Sequence, residues 1–350
     1  MTDDPRLRVE AALRDFVTVA TTDLTDIASE LTSVAEAAAR FVLDGGKRLR
    51  PAFCFWGARA VGAVDSDALV RAAASLELLQ ACALVHDDVL DRSATRRGQP
   101  SIHEQFATLH DVSGWQGDSA AFGEGVAILL GDLYLIWSDS MLATSGWDPA
   151  GLERARPIID AMRTELMAGQ YLDVIEQARG GGSVERALRV ARFKAAKYTV
   201  ERPLHLGAAL AGAEAEAMLA LSGYGIPLGE AFQLRDDLLG VFGDPERTGK
   251  PAGDDLREGK RTVLIALAVE TADGAARSTI DRHLGNPDLD DQAVESLREI
   301  VTASGATTAV EQMIDERVDA ALRALSAAGL DHDATVALVG LARAATQRSA

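Results

Sequence analysis

The chain has 350 residues and a formal net charge of −18, and 47% of its residues are hydrophobic. That hydrophobic content is enough for a large core, and the abundance of Ala, Leu, Glu and Arg favours helices. A strongly acidic chain lacks the basic face that nucleic acid requires, so we expect no nucleic-acid partner. If such a protein handles an anionic substrate, it must place its few cations locally or recruit a metal ion.

The sequence predicts a cytoplasmic protein without a disulfide framework. Cys54 and Cys82 each lie inside an apolar run, which is typical of buried free thiols. The first residues are acidic and precede an amphipathic pattern, unlike a signal peptide. The apolar run 126–137 is shorter than the roughly 18–20 residues of a membrane span and contains Gly131 and Asp132. We therefore expect no transmembrane segment.

Almost every segment shows apolar residues at helical spacing, which predicts an all-α fold with about a dozen helices. We expect one large helical domain over 1–350, with an N-terminal helical extension at 1–34 and a polar, Gly-rich surface insertion at 110–123. The predicted helical segments are 6–43, one starting near Pro51, 67–92, 124–145, 149–178, 184–212, 214–242, 261–284, 291–304, 306–327 and 332–348.

The first candidate site is a carboxylate cluster near the end of the predicted helix 67–92. Asp87 and Asp91 are four residues apart, so both project from one helix face. Two such carboxylates repel each other, and their charge is unfavourable at the carboxyl end of a helix dipole. A cation bound between them offsets both effects. Mg²⁺ suits this spacing because it binds one or two carboxylates together with substrate phosphates. Asp88 lies on an adjacent face, where it can support these ligands.

Basic motifs lie on both sides of this cluster. Lys47 and Arg50 share one face at a helix start, where free backbone N–H groups also attract anions. Arg96 and Arg97 follow the cluster by five residues. A guanidinium group can donate two parallel hydrogen bonds to diphosphate oxygens. Metal-binding carboxylates bracketed by cations indicate a site for two diphosphates.

A second carboxylate cluster repeats the arrangement at the end of a later apolar helix. Asp236 and Asp237 follow Gln233, and a turn-rich stretch at 243–260 comes next. If the two clusters face each other, they can clamp one diphosphate between metal ions. The turn-rich stretch is then a candidate lid that carries Lys250 and Lys260 inward.

These motifs resemble those of the trans-polyprenyl diphosphate synthase family, and most closely the geranylgeranyl diphosphate synthases of actinobacteria. The resemblance covers about residues 35 to 345. The motifs that carry it are Gly-Gly-Lys-Arg-Leu-Arg-Pro at 45–51, the aspartates at 87–91, Arg-Arg-Gly at 96–98, Gly-Gln-x-x-Asp at 169–173 and the second aspartate motif from 236.

The resemblance implies a prenyl-synthase fold with a central cavity, a homodimer, and condensation of isopentenyl diphosphate with an allylic diphosphate. The residues implied for isopentenyl diphosphate are Lys47, Arg50, Gln80 and Arg97. Those implied for the allylic diphosphate and its pocket are Arg96, Gln170, Asp173, Lys194, Gln233, Lys250 and Lys260. Three Mg²⁺ ions are implied, on Asp87 and Asp91 for two and Asp236 for the third, with Asp88 and Asp237 beside them.

The chain departs from the family pattern at two positions. The second aspartate motif usually ends in Asp, and here Gly240 stands in that place. The usual Lys-Thr pair is Lys194-Ala195 here, which removes a hydroxyl.

The resemblance also implies that the product grows along the helix that carries Asp87. The residues four, five and eight positions upstream are Ala83, Cys82 and Leu79. In the family, aromatic residues at the first two of these positions stop growth at farnesyl diphosphate. The small residues here predict geranylgeranyl diphosphate, with Leu79 or a neighbouring bulky residue as the floor.

Three alternative functions on the same fold remain open at this point. A farnesyl or longer-chain diphosphate is possible by the same chemistry. A terpene cyclase uses the same aspartate cluster but needs no site for isopentenyl diphosphate, so Lys47, Arg50 and Arg97 argue against it. Gly240 and Ala195 give some weight to a non-catalytic partner subunit.

Overall fold

The computed structural model describes residues 4–244, 253–286 and 288–347, and these are mostly helical. The helices are α1 (Pro5–Ile27), α2 (Thr32–Leu43), α3 (Leu49–Ala60), α4 (Asp67–Asp91), α5 (Ile102–Ser113), α6 (Ser119–Ala143), α7 (Pro149–Arg179), α8 (Val184–Val190), α9 (Arg202–Leu210), α10 (Ala215–Phe242), α11 (Asp254–Glu258), α12 (Val263–Thr271), α13 (Gly274–His283), α14 (Asp291–Ala303), α15 (Ala306–Ala327) and α16 (His332–Thr346). A 3₁₀ turn covers Ser29–Leu31, and a π-helix covers Ala191–Glu201 between α8 and α9.

The predicted all-α class is confirmed, with several local differences. The predicted helices 6–43 and 261–284 are each divided into two, and the predicted helix 184–212 contains the π-helix. Strands β1 (Thr95–Arg96) and β2 (Gln99–Pro100) form a short antiparallel hairpin where the sequence suggested only a loop. Most of the proposed insertion at 110–123 is helical, because α5 continues to Ser113 and α6 begins at Ser119. Only the segment between those two helices matches the expected exposed loop.

Short polar side chains determine where many helices begin. Ser66 accepts a hydrogen bond from the Leu69 amide at the start of α4, and Asp118 accepts one from Ala121 at the start of α6. The same N-cap interaction recurs at the helices that start after Asp4, Ser183, Thr262, Asp273, Asp290 and Asp331. Each cap satisfies an amide that would otherwise lack an intrahelical partner.

The chain divides into two compact units, each with its own core. The first contains Met1–Phe55 and Ala63–Glu153. Within it, α4 packs against α1 and α6, and α5 packs against α6. The buried Tyr134 hydroxyl donates to the carbonyl of Ala38 over 2.9 Å and ties α6 to α2.

The second unit contains Trp56–Gly62 and Arg154–Ala350. Within it, α10 packs against α15 and the π-helix. The buried Tyr224 hydroxyl donates to the carbonyl of Leu338 over 2.7 Å and ties α10 to α16. A continuous apolar cluster joins residues of α10 and α12 to residues of α14 and α15.

Glycines let two helices approach the π-helix closely. A Cβ added at Gly169 of α7 would lie 2.5 Å from the backbone nitrogen of Lys194. One added at Gly229 of α10 would lie 2.4 Å from the Cα of Ala196. Backbone atoms on the far side cannot move aside as a flexible side chain can, so glycine is required for this packing.

Two helices are long and apolar enough to cross a membrane by composition alone. They are α4 and α6, and the relevant windows are 72% and 39% buried within the structure. The high burial of α4 is that of a core helix. The lower burial of α6 reflects an exposed apolar face that includes Ile128, Leu129 and Ile136.

We predict that Gly229→Ala lowers the free energy of unfolding by about 2 kcal/mol, because its Cβ would overlap the backbone of the π-helix. The matched control is Gly340→Ala in α16, where an added Cβ meets nothing within 4 Å. That control should be neutral or raise stability by about 0.5–1 kcal/mol, since alanine favours helices over glycine. Urea unfolding of both variants tests this, and equal effects would contradict the packing explanation.

Candidate active site

The carboxyl end of α4 presents two carboxylates on one face and buries a third. Asp87 and Asp91 are half-buried, one turn apart, as the spacing predicted. Asp88, between them, has only 1% of its side chain exposed. Asp88 was predicted to support the metal ligands, and its side chain faces the protein interior.

Arg96 is the partner of that buried carboxylate. Its Nε donates to Asp88 Oδ1 over 2.8 Å, and its Nη2 contacts the same oxygen. The Nη2 atom is also 4.0 Å from Asp87 Oδ2. An isolated buried carboxylate is costly, so this pair holds the guanidinium next to the outward-facing cluster.

The hairpin after α4 turns Arg96 and Arg97 to different partners. Arg97 and Gly98 have φ of 54° and 73°, and they form the two-residue loop between β1 and β2. Positive φ at both loop residues is the type I′ geometry that matches strand twist. A non-glycine residue in that region is strained by about 1 kcal/mol or more, so other contacts must hold Arg97 there.

Those contacts come from the end of α2. Arg97 Nη1 donates to the carbonyl of Asp44 over 2.9 Å and to that of Phe41 over 3.3 Å. Its guanidinium carbon lies 5.9 Å from the centre of the Phe41 ring. A cation at carbonyls of a helix carboxyl end is favourable. Burial lowers the pKa of Arg97, and the charge of Glu77 opposes that effect.

Arg48 is a residue that the sequence reasoning did not assign. It lies at φ 53°, is 4% exposed, and its Nη1 is 2.8 Å from Glu77 Oε2. Its Nη2 also donates to the carbonyl of Val42 over 2.9 Å. This buried pair locks the turn that carries Lys47 and Arg50. The signal available in the sequence was a glutamate inside the otherwise apolar stretch of α4.

A small cavity lies beside this pair. It is lined by Gln80, Arg97, Arg48, Glu77 and Phe41, among others. Gln80 and Arg97, both predicted to bind isopentenyl diphosphate, are thus brought together. The Oε1 atom of Gln80 is buried and has no hydrogen-bond partner within the described ranges. Lys47 is exposed and Arg50 half-buried, and neither lines the cavity.

The residues predicted to set chain length differ in how deeply α4 buries them. Leu79 and Cys82 are each 1% exposed and belong to the core. Ala83 is half-buried and lies one turn before Asp87, on the face that carries the metal-binding prediction. The structure therefore favours Ala83 as the residue that a growing chain would meet first.

In the second unit, the predicted pocket residues of α7 and the π-helix meet directly. Lys194 Nζ lies 2.7 Å from Asp173 Oδ2. The close approach at Gly169, the first residue of the Gly-Gln-x-x-Asp motif, places these elements together. Gln170 is half-buried on the same helix. Lys197, three residues after Lys194, lies elsewhere, 2.6 Å from Glu165 Oε1.

The second aspartate cluster lies near the end of α10. Asp236 is half-buried, whereas Asp237 is 4% exposed. Gln233 Nε2 donates to Asp237 Oδ1 over 2.8 Å. Burial raises the pKa of Asp237 to about 8, and the nearby carboxylates of Asp255 and Asp236 add to the effect. The predicted cluster thus contains one inward-facing and one outward-facing carboxylate, as at the end of α4.

Lys260 follows the short helix α11 and is held by two carboxylates. Its Nζ is 3.3 Å from Asp255 Oδ1 and also contacts Glu258. Lys250, the other lysine of the predicted lid, lies outside the described residues. Asp255 and Glu258 had no predicted role, although both lie in the acidic run before Lys260.

The donors present are suited to Mg²⁺, since carboxylate oxygens are the hard ligands that this ion prefers. Within 4–244, 253–286 and 288–347, no three His, Cys, Asp or Glu side chains converge closely enough to hold a metal ion alone. That arrangement fits an ion that takes its remaining ligands from substrate phosphate and water. At Gly240, an added Cβ would overlap the Asp255 carboxylate, so that carboxylate occupies the space where a side chain at 240 would begin.

Known proteins are similar to this chain along most of its length. The model of the polyprenyl synthetase family matches residues 32–301. The structure of geranylgeranyl pyrophosphate synthase from Corynebacterium glutamicum, complexed with isoprenyl diphosphate and magnesium, is 41% identical. It covers 99% of this chain and 98% of that one, with a TM-score of 0.95.

Two curated relatives carry other names. Geranylfarnesyl diphosphate synthase from Aeropyrum pernix is 32% identical, over 77% of this chain and 80% of that protein. (2E,6E)-farnesyl diphosphate synthase from Mycobacterium tuberculosis (strain ATCC 25618 / H37Rv) is 34% identical, over 74% of this chain and 68% of that protein.

The chain belongs to the polyprenyl synthetase family. The predicted isoprenoid synthase fold and trans-prenyltransferase class are confirmed. The roles of individual side chains remain predictions that the geometry above makes specific.

We predict that Arg48→Met lowers the free energy of unfolding by about 3 kcal/mol, because it leaves the Glu77 charge buried without its partner. The double variant Arg48→Met/Glu77→Leu should be less destabilised, since neither charge is then buried. Arg6→Met is the control, because Arg6 forms only an exposed pair with Glu10. Urea unfolding distinguishes the three, and a double variant worse than the single one would refute a charge-based role.

Proposed function

We propose that this protein condenses isopentenyl diphosphate with an allylic diphosphate, head to tail, to form trans geranylgeranyl diphosphate. The observation that carries the proposal is in the first unit. There, Asp87 of α4 lies beside Arg96, Asp91 follows one turn later on the same helix, and Gln80 of that helix lines a cavity with Arg97. The same helix thus carries residues for two substrates: the allylic diphosphate, bound through metal, and isopentenyl diphosphate, bound separately.

Each substrate would be held by its own set of cations. Lys47, Arg50 and Arg97, with the carboxamide of Gln80, are assigned to isopentenyl diphosphate. Arg96, Lys194, Lys250 and Lys260 are assigned to the allylic diphosphate, with Gln170, Asp173 and Gln233 around it. Lys194 and Arg96 are already oriented by Asp173 and Asp88, so less side-chain entropy is lost when the anion binds.

The reaction begins when the C–O bond of the allylic diphosphate breaks and its electron pair leaves with the diphosphate. Mg²⁺ ions on Asp87, Asp91 and Asp236, three in all, would neutralise charge that develops on that leaving group. Arg96 and Lys194 stabilise the same charge through hydrogen bonds. The double bond of isopentenyl diphosphate attacks the allylic cation, and a proton then leaves to the departed diphosphate. Apolar walls keep water from the cation.

Small side chains on the open face of α4 support the twenty-carbon product. Ala83 leaves space one turn below Asp87, and the buried Leu79 and Cys82 form part of the core behind it. The similarity to a geranylgeranyl pyrophosphate synthase along the whole chain agrees with that length. Relatives named for farnesyl and geranylfarnesyl products show that family membership alone leaves the length open.

The function is tested by incubating the purified protein with Mg²⁺, labelled isopentenyl diphosphate, and dimethylallyl, geranyl or farnesyl diphosphate offered separately. We expect geranylgeranyl diphosphate from each primer and no product after chelation of the metal. A hydrocarbon released from an allylic diphosphate alone would indicate a cyclase instead. No turnover with any primer would indicate a non-catalytic subunit.

We predict that Ala83→Phe shifts the main product to farnesyl diphosphate, because the ring would fill the space below Asp87. Ala83→Ser is the control, since it keeps a small side chain and should still give the longer product. Chromatography of the dephosphorylated products measures both. If Ala83→Phe leaves the chain length unchanged, the product does not grow along this face of α4.

We also propose that the protein is a cytoplasmic homodimer in which a second copy covers α6. That helix exposes Ile128, Leu129 and Ile136 to 48%, 70% and 62%. Large apolar side chains that are exposed together on one helix are typical of an interface, and the exposed Asp132 lies among them. Both cysteines are buried and free, which agrees with a reducing compartment.

We predict that Leu129→Glu dissociates the dimer, because it places a charge in the covered apolar face. Leu219→Glu is the matched control, since Leu219 is 74% exposed on α10 and should leave the mass unchanged. Sedimentation velocity at micromolar concentration measures both masses. A wild-type protein that sediments as a monomer would contradict the proposal, as would equal effects of the two substitutions.

A further inference from the structure

Lys197 is a basic residue of the π-helix to which the proposed function gives no role, and it contacts α7. Its Nζ is 2.6 Å from Glu165 Oε1. Arg202, the first residue of α9, donates to both oxygens of that carboxylate, from Nη2 to Oε1 and from Nε to Oε2, each over 2.7 Å. Glu165 therefore holds two cations of the segment that carries Lys194, one inside the π-helix and one just after it.

The charges of this group are paired in a half-buried setting. Burial alone would raise the pKa of Glu165, but hydrogen bonds from Arg202 and Lys197 outweigh that effect and lower it. The buried Glu201 has its Oε2 atom 3.5 Å from Lys197 Nζ, and its Oε1 atom accepts from the Ser222 hydroxyl over 2.8 Å. Loss of one partner would leave a buried charge uncompensated, so the group fixes the contact between the π-helix and α7.

Glu165 and Asp173 lie on α7 four residues to either side of Gly169. At Gly169 the two elements touch, since an added Cβ would be 2.5 Å from the backbone nitrogen of Lys194. Asp173 Oδ2 lies 2.7 Å from Lys194 Nζ. A carboxylate of α7 thus holds the π-helix one turn before this contact and another holds it one turn after.

A π-helix of this length depends on such contacts. Ala191–Glu201 has 11 residues, whereas π-helices mostly occur as single turns inside α-helices and are frequent at functional sites. Its other side is tied to α10, where Arg192 Nε donates to Glu230 Oε1 over 2.7 Å. The buried Glu230 also accepts from Arg317 Nε over 2.9 Å. This second tie involves no residue of α7 and provides a matched control.

The two carboxylates of α7 differ in what substrate binding does to them. A diphosphate that binds Lys194 competes with Asp173 for the Nζ donors. The pairs that Glu165 forms with Lys197 and Arg202 do not include Lys194, so they persist when the anion binds. Since a misplacement of about 1 Å can cost about 100-fold in rate, a contact that survives substrate binding matters for the reaction.

We propose that Glu165 is a positioning residue for Lys194. Through Lys197 and Arg202 it holds the π-helix in place on α7, so that Lys194 stays aimed at the leaving diphosphate after its pairing with Asp173 weakens. Glu165 itself touches no substrate. This inference rests on the proposed function, because it concerns the step in which the allylic diphosphate departs.

The test is a double-mutant cycle on the rate of a single turnover. Glu165→Gln removes the charge and keeps the shape, Lys194→Met removes the amine, and Glu165→Gln/Lys194→Met combines the two changes. Arg192→Met is the control, because it loosens the π-helix from α10 instead of α7. Excess enzyme with Mg²⁺, geranyl diphosphate and labelled isopentenyl diphosphate gives the rate, and a thermal scan compares the stabilities.

We expect Glu165→Gln to lower the single-turnover rate by about 10- to 100-fold and to leave the KM for isopentenyl diphosphate unchanged. The double variant should be no slower than Lys194→Met, because a positioning residue has no effect once the group that it positions is gone. Arg192→Met should lower the melting temperature but keep a rate close to that of the wild type.

Two results would overturn the inference. If the losses from Glu165→Gln and Lys194→Met multiply in the double variant, Glu165 acts independently of Lys194. If Arg192→Met slows the reaction as much as Glu165→Gln, the π-helix needs only general stability. Should Glu165→Gln not fold, Lys197→Met takes its place in the cycle with the same criteria, since it keeps the pair of Glu165 and Arg202.

Product formation by the wild type separates this inference from the proposed function. A wild-type protein that makes no prenyl diphosphate refutes the proposed function, and the cycle then has no rate to compare. An active wild-type protein whose single-turnover rate does not change with Glu165→Gln refutes only the positioning role.

Discussion

The conformation of the chain at the end of α4 depends on the ion pair between the buried carboxylate of Asp88 and Arg96. A charge with 1% exposure must be paired, and Arg96 reaches it only because the chain reverses direction after the helix. Arg92 caps α4 in the left-handed region, and the hairpin then places Arg97 and Gly98 at its tip. With Arg96 committed inward, Arg97 is left for the end of α2 and the cavity of Gln80.

The same principle applies to two cations of the second unit. The chain has a net charge of −18, so every lysine and arginine has many carboxylates available as partners. Here particular carboxylates hold particular cations: Asp173 holds Lys194, and Asp255 with Glu258 holds Lys260. A diphosphate that enters such a site exchanges one anionic partner for another, so the cation moves little.

The structure also narrows the roles within each aspartate motif. In both, the first aspartate is half-buried and the second is buried with a polar partner, Arg96 for Asp88 and Gln233 for Asp237. The inward residues hold polar neighbours, and the outward residues are the ones that we propose bind metal and substrate.

Local patterns in the sequence determined the helices, their approximate ends and the chemistry of the site. Helical period and N-caps act within a turn or two of the chain, so α4, α7 and α10 were predictable nearly to the residue. The role of Arg48 was not predictable, because its partner lies far along the chain: Glu77 is 29 residues from Arg48. The packing of α4 beside the turn at 45–48 decided that pair, since contacts between distant segments leave no periodic signal in a single sequence.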